Sequence, residues 1–474
     1  MTNSLRLFAA CALALVLAGC MVGPDYVRPT APVPAQYKEA DGWKVAQPSD
    51  AAPRGEWWQA YRDPELDALM GQIDVSNQTI ALYAARVREA TAGTQAARAA
   101  LFPAVGGTGS AVRNKNATSG SSGNGGQNSA YVVALGASWE PDLWGGIRRS
   151  IEAASGTAQA SEADLANARL SVQAAVAQDY FLVRVQDAQI ELLRNTVTAY
   201  EKSLQLTQNQ YGAGVVARGD VLQAEAQLKS TQASIFDAQL TRAQLEHAVA
   251  VLLGKPPSEF SIVPRPAVTP LYPEIPLAVP SALLERRPDI AAAERRAAAA
   301  NAQIGVAQAA FFPSVTLSAN AGLQSSIIGS LLSLPNNYWS LGASLAQSIF
   351  DAGLRSAQKD QAIARYDEAV ASYRQTVLTG FQEVEDNLSA LNLLAQESEV
   401  QQAAMKASQQ SAAIAMNQYK AGTANYLAVV VLQANALNSE RNSLAITGRR
   451  LVASVDLVRA LGGGWNAASL AAVQ

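Results

Sequence analysis

One histidine and two cysteines are all that this chain of 474 residues offers to imidazole or thiol chemistry. The histidine, His247, lies in a helical stretch, Gln244-Leu245-Glu246-His247-Ala248, where a surface or packing role is expected. There is no Cys/His metal constellation, no zincin motif, no Ser-His-Asp arrangement and no Gly-x-Ser-x-Gly elbow. No cofactor or metal is expected, and an enzyme is the weakest of the readings below. Charge is equally scarce. Only 16% of residues are charged and the formal net charge is -3, so the chain lacks the basic surface that neutralises phosphates, and nucleic acid is excluded as a partner. Past the N-terminus no window approaches 18 uninterrupted apolar residues. Any membrane crossing by the body must therefore use strands.

What is present starts with the first twenty residues. Arg6 precedes an apolar stretch from Leu7 to Leu17, which is followed by Leu17-Ala18-Gly19-Cys20. The apolar core is half the length a spanning helix needs, so it reads as a signal peptide over residues 1–19. The small residues before Cys20 resemble a bacterial lipobox, in which cleavage precedes the cysteine and its thiol takes up diacylglycerol. An ordinary signal with a chance cysteine is the competing reading. Met21 stands where an inner-membrane retention signal would have Asp, which favours the outer membrane. Cys11 leaves with the signal, so the mature chain has no intramolecular disulfide.

The remainder says nearly the same thing twice. Ala134-Leu135-Gly136-Ala137-Ser138 recurs as Ser340-Leu341-Gly342-Ala343-Ser344, Phe102-Pro103 as Phe312-Pro313, Tyr211-Gly212-Ala213-Gly214 as Tyr419-Lys420-Ala421-Gly422, and Leu253-Gly254 as Leu461-Gly462. All offsets fall between 206 and 210, a duplicated domain rather than a solenoid repeat. The expected organisation is an extended segment over 20–64, a first repeat over 65–254, a proline-rich connector over 255–285, a second repeat over 286–465 and a tail over 466–474. The two proline-rich segments read as extended, because each proline removes a donor and restricts its predecessor.

Each repeat carries a proline-free stretch of about 65 residues, Ile147 to Tyr211 and Leu354 to Tyr419, which as helix would reach roughly 100 Å. Val370, Val377, Val384, Leu391, Ser398, Met405, Ala412 and Tyr419 lie seven apart, as do Val176, Val183, Ile190, Val197, Leu204 and Tyr211. A sustained heptad predicts left-handed coiling against neighbouring helices, and packing alone accounts for the stripe. Each rod should end at its Tyr-x-Ala-Gly turn and return, giving helical tips near 211–220 and 419–427. Arg218-Gly219-Asp220 spells an adhesion tripeptide but reads as ordinary turn chemistry. The cluster Glu383, Glu385 and Asp386 reads as a solvated or lumen-facing patch.

Ahead of each rod the period falls to 2, predicting hairpins over 103–140 and 313–350. Val315, Leu317, Ala319, Ala321 and Leu323 alternate with small polar residues, as do Trp339, Leu341, Ala343 and Leu345; Tyr131, Val133, Leu135, Ala137 and Trp139 repeat the scheme less cleanly, against Val132, Ala134, Gly136, Ser138 and Glu140. Strands near ten residues with one apolar face fit a tilted membrane strand, lipid on one side and water on the other. Tyr131, Trp139, Tyr338 and Trp339 are the candidate interfacial aromatics. A soluble sandwich is the competing reading. Four strands cannot close a barrel, so several copies must contribute, and the residues alone allow eight, twelve or more strands.

Taken together, Cys20-Met21-Val22-Gly23-Pro24-Asp25-Tyr26-Val27-Arg28-Pro29, Arg286-Arg287-Pro288-Asp289-Ile290 and the ending Leu461-Gly462-Gly463-Gly464-Trp465 resemble the outer membrane factor family of tripartite pumps, the TolC/OprM-like proteins, in their NodT lipoprotein branch. The resemblance implies a mainly α protein with a membrane β part: a homotrimer whose long coiled helices form a periplasmic α-barrel joined to a twelve-stranded transmembrane β-barrel. It implies an outer-membrane location with a lipid anchor at Cys20. It also implies docking of the tips, around Tyr211, Gly214, Tyr419 and Gly422, onto a periplasmic adaptor that serves an inner-membrane transporter of the resistance-nodulation-division type. The implied function is passive export of drugs or other small toxic compounds. In similar proteins the second tip narrows the mouth through a leucine and, four residues on, an aspartate; here these positions are Leu427 and Val431, so an apolar gate is expected in place of an acidic ring. The alternatives are a type I secretion duct for proteins and a periplasmic structural or adaptor lipoprotein, which would lack the four alternating strands.

Overall fold

In the computed structural model the described residues are 21–39, 56–115, 127–266, 272 and 283–465. The signal segment, Cys20, about half of the proline connector and the C-terminal tail lie outside them. The first repeat contains α1 (Pro64–Ser76), α2 (Gln78–Ala99), β1 (Ala104–Lys115), β2 (Gln127–Trp139), α3 (Gly146–Gly212) and α4 (Arg218–Leu252). The second contains α5 (Pro288–Ala309), β3 (Ser314–Ser325), β4 (Asn337–Ala346), α6 (Leu354–Lys420) and α7 (Tyr426–Ala460).

The two rods are equal, 67 residues each in α3 and α6, and at 1.5 Å per residue each is roughly 100 Å long. Their heptad positions turn inward: Val176, Val183, Val377 and Val384 are fully buried. Both rods stop in the same way. Gly214 and Gly422 take positive φ of 75°, and the next residue donates back across the turn, Val215 N to Gln210 O and Thr423 N to Gln418 O, each at 2.9 Å. That is the Schellman closure, which a Cβ at the left-handed position would strain.

The duplication is also visible where each returning helix ends. Asn77 caps α2 by accepting from Ile80 N and donates to Leu252 O, the last residue of α4. Arg287, preceding α5, donates to Ala460 O, the last residue of α7. One repeat uses an amide and the other a guanidinium for the same bond.

Two stretches read as extended contain buried or turned structure. Trp57–Tyr61 forms a 3-10 turn whose rings enter the largest core beside Tyr180, Phe181 and Leu451, with Tyr61 OH 2.8 Å from Ser454 Oγ. Pro257–Glu259 makes another 3-10 turn. A proline at the first position of a helical turn loses nothing, because that N–H has no intrahelical partner. The next connector residues are clamped: Ile262 O accepts from Arg242 and Val263 O from Arg184, each at 2.7 Å.

Candidate channel-forming surfaces

The four strands form a single antiparallel sheet in chain order, β1-β2-β3-β4. Register partners share a face in an antiparallel pair. Val133 pairs with Leu323, Leu135 with Ala321, Ala137 with Ala319 and Trp139 with Leu317. Leu317 in turn pairs with Ala343, Ala319 with Leu341 and Ala321 with Trp339. The apolar set of all three strands therefore lies on one face. The opposite face carries Ser138, Ser318 and Gly342 in one row and Gly136, Asn320 and Ser340 in another. A one-residue slip anywhere would have mixed the two.

The four aromatics do not act alike. Tyr131 pairs with Ser325 and Trp339 with Ala321, toward the loop end of the sheet, while Trp139 pairs with Leu317 at the helix end. These three share the apolar face. The eight steps along the strand from Leu317 to Ser325 cover roughly 27 Å, or roughly 20 Å of height at the usual tilt of about 40°, comparable with an outer-membrane apolar band. Tyr338 pairs with Gly322 and so lies on the polar face, one residue out of phase with Trp339. Trp139 also donates from its indole to Leu101 O at 2.9 Å, tying β2 to the end of α2. Trp144, which sequence reasoning missed, does the matching job: it donates to Pro313 O at 2.7 Å and stacks on Phe312 at 4.8 Å between ring centroids. The repeated Phe-Pro step was the available signal.

The helices continue the order of the sheet. Next to the sheet the helices run α2, α3, α5, α6, and toward the tips they run α4, α3, α7, α6. Every tier is an open array. Its two ends are β1 and β4, α2 and α6, or α4 and α6. The end helices carry unpartnered apolar residues at coiled-coil spacing: Leu393, Val400 and Ile414 on α6 are exposed, and so are Leu222, Phe236 and Leu240 on α4. With Ala407 the α6 set is a second strict heptad, on a different side of the rod from the buried one.

At the tips the two equivalent tyrosines part company. Tyr211 is exposed, whereas Tyr419 is buried with Tyr426, the rings 5.2 Å apart. Tyr419 OH donates to Thr207 Oγ1 at 3.3 Å, and Ser203 Oγ lies 3.2 Å from Tyr426 OH. The buried face of α7 thus holds the second hairpin against α3, and burial raises the pKa of both phenols. Gly214 and Gly422 sit at the two turns. Leu427 and Val431 are both about half exposed, one helical turn apart at the start of α7.

The arm, residues 21–39, crosses from one repeat to the other. Arg149 of α3, 1% exposed, donates to Val22 O and Gly23 O at 3.1 Å each and to Asp25 at 2.8 Å. A Cβ on Gly23 would sit 2.4 Å from the Cα of Gly305 in α5, so backbones touch there. Asn301 donates to Pro24 O at 2.9 Å and Tyr26 OH to Glu294 at 2.6 Å. Further along, Glu385 of α6 accepts from the backbone N–H groups of Lys38 and Glu39. Glu383 accepts from Arg287 at 2.8 Å. The acidic cluster read as a solvated patch therefore anchors the arm and the α5 start; Asp386 alone stays exposed. These partners lie between 96 and 347 residues apart, which no local pattern betrays.

Among the described residues no group of three or more His, Cys, Asp or Glu could hold a metal, and no helix is long and apolar enough to cross a membrane. An open sheet, greasy on one face and polar on the other, mounted on open arrays of long helices, is the arrangement of a channel subunit. The outer membrane efflux protein family matches residues 69–255 and 279–463, and the chain belongs to that family. It is 34% identical to the probable efflux pump outer membrane protein TtgC of Pseudomonas putida, covering 98% of this chain and 96% of that one. It is 32% identical to the pyoverdine export outer membrane protein OpmQ of Pseudomonas aeruginosa, covering 98% and 97%. Among solved structures the outer-membrane channel OprN superposes with a TM-score of 0.88 at 31% identity, covering 94% of this chain and all of that one. The chain is the outer-membrane component of an efflux system, and its family is a transport family rather than an enzyme family.

Proposed function

We propose that three copies close into one continuous duct, β1 of each pairing with β4 of the next and α6 of each coiling against α2 and α4 of its neighbour. The observation that carries this reading is that all three tiers are open, with an apolar heptad stranded on α6 and exposed apolar residues on α4. An unpaired strand edge in hydrocarbon costs several kcal/mol per backbone group, so the sheet needs partners of its own kind. Multiples of four strands satisfy the physics. The likeness to the outer membrane factors supports twelve.

In this duct the apolar sheet face meets lipid, the serine-rich face lines water, and the rods descend into the periplasm. Cys20 carries the lipid. Its neighbour Met21 lies against Gly145, just beyond the end of β2, a position level with the inner leaflet. The tips receive a periplasmic adaptor and, through it, a transporter of the resistance-nodulation-division type. The cargo is drugs or other small toxic compounds, and the protein supplies a path, not energy. Leu427 and Val431 form the periplasmic constriction, closed by dewetting.

Replacing Val400 and Ile414 together by glutamate tests assembly. Light scattering in detergent should show loss of the trimer, and planar bilayers loss of conductance. A fully trimeric, conducting double variant overturns the reading. For the gate, Val431→Asp should raise cation selectivity and ease opening; unchanged selectivity and closure remove Val431 from it.

A further inference from the structure

The loop between β3 and β4 displays grease where an outer-surface loop is ordinarily polar. Ile327, Ile328, Leu332 and Leu334 are between 65% and 84% exposed, beyond the last strand pair Leu323–Asn337. They are not on a floppy tether. Two 3-10 turns, Ile328–Ser330 and Leu334–Asn336, shape the loop. Its polar groups satisfy one another: Ser333 Oγ donates to Ser330 O at 2.6 Å, and Asn336 Nδ2 to Ser330 O at 2.5 Å and to Ser333 Oγ at 2.9 Å. With serines and asparagine bonded inward, the aliphatic side chains are what the loop presents outward.

The side toward which it folds is given by Ser325. That residue is the register partner of Tyr131 and so lies on the apolar face. Its hydroxyl accepts from Ile327 N at 3.1 Å and lies 2.8 Å from Ser330 Oγ. The first turn of the loop is therefore drawn over the apolar rim, on the side of Tyr131, rather than over the polar face. Aliphatic residues held continuous with an apolar band belong to the same solvent as that band.

We propose that this loop is a membrane anchor: Ile327, Ile328, Leu332 and Leu334 insert among the acyl chains of the outer leaflet, extending the lipid-facing band past its aromatic rim. The inference rests on the reading of the sheet as a lipid-facing barrel wall. Three such greasy loops would alternate around the mouth with the Gly/Ser/Asn-rich loops of the first hairpin, fixing the depth of the barrel from outside as the Cys20 lipid would from inside.

Single cysteines at Leu332, Leu341 and Ser344, labelled with an environment-sensitive dye, provide the test. The protein is reconstituted in phosphatidylcholine vesicles with bromine placed either shallow or deep in the acyl chain. Leu341→Cys, mid-strand on the apolar face, should be quenched by deep bromine, and Ser344→Cys, on the polar face, should not. Leu332→Cys should show blue-shifted emission and lose most of its intensity to shallow bromine. If Leu341→Cys is quenched while Leu332→Cys is not, the anchor is wrong and the barrel stands. If Leu341→Cys is not quenched, the barrel reading itself fails. Disulfide-linked copies formed through Leu332→Cys would assign the loops to a cap across the mouth and equally overturn the anchor.

Discussion

Replacing Arg149 by alanine should free the first residues of the arm while leaving the helical body folded. The side chain is 1% exposed, yet its four partners differ in what they lose. Asp25 is 89% exposed at its carboxylate, so water replaces the guanidinium there and the pair contributes about 0–1 kcal/mol. Glu152, partly exposed, behaves similarly. The bonds to the Val22 and Gly23 carbonyls are different, because a charged donor reaches them across the otherwise closed contact between Gly23 and Gly305. At about 1.5 kcal/mol for each, docking should weaken by about 3 kcal/mol, a factor of roughly 150. Val22 N–H, which donates to Trp144 O at 3.0 Å, reports it directly. Its hydrogen exchange should accelerate by roughly that factor, if opening precedes exchange. Arg149→Lys keeps the charge without the planar fork and should fall between. An arm that stays protected in a correctly folded Arg149→Ala protein would refute the reasoning.

Leu388→Ala, at a position of α6 with no exposure, should cost about 2–5 kcal/mol in the second repeat's core, read as a lower unfolding temperature. Tyr426→Phe should cost about 1 kcal/mol through the lost contact with Ser203, and Tyr426→Ala about 3–5 kcal/mol with the tips loosened; equal effects of the two would deny the hydroxyl any part. Asp351 holds the start of α6, and the hydrogen bond from Arg355 keeps its carboxyl below the usual range. A depressed pKa stabilises fully above the unfolded value of about 3.9 and is lost as pH falls through the folded one. Protection of the first turn of α6, taken relative to the intrinsic exchange rate at each pH, should therefore fall on acidification below about pH 4 in the wild type and show no such dependence in Asp351→Asn.

Much of the architecture was legible because its signals are local. A rod without proline and with a heptad can scarcely be anything but a long helix, and a period of 2 with one greasy face announces a strand. The coarse fold, mainly helical with a four-stranded antiparallel sheet, needed nothing else. What stayed hidden depends on neighbours. Tyr211 and Tyr419 occupy equivalent positions of the repeat, yet one is exposed and the other buried, because α7 lies between α6 and α3 while α4 lies outside α3. Glu383 and Glu385 look like any acidic surface until Arg287 and the arm are brought to them. Arg149 gives no hint of its hold on the arm, since Val22, Gly23 and Asp25 lie more than a hundred residues earlier. Tyr338 is the opposite case: its parity relative to Trp339 already placed it on the other face.

The shared order of the three tiers constrains how copies can join. The sheet and the rods are connected by short segments, Glu140 to Gly145 and Gln347 to Gly353, so a strand's neighbour above is a helix's neighbour below. A copy that paired its β1 one strand out of place would carry its α2 and α4 away from the exposed heptad on α6. Leu393, Val400 and Ile414 would stay in water, at about 25 cal/mol for each Å² left uncovered. Strand pairing fixes register in steps of one residue, and the heptads fix it over a rod of roughly 100 Å. In the proposed duct only the arrangement that satisfies both closes without an exposed edge, so selection of the correct ring would come from agreement between tiers that are individually permissive.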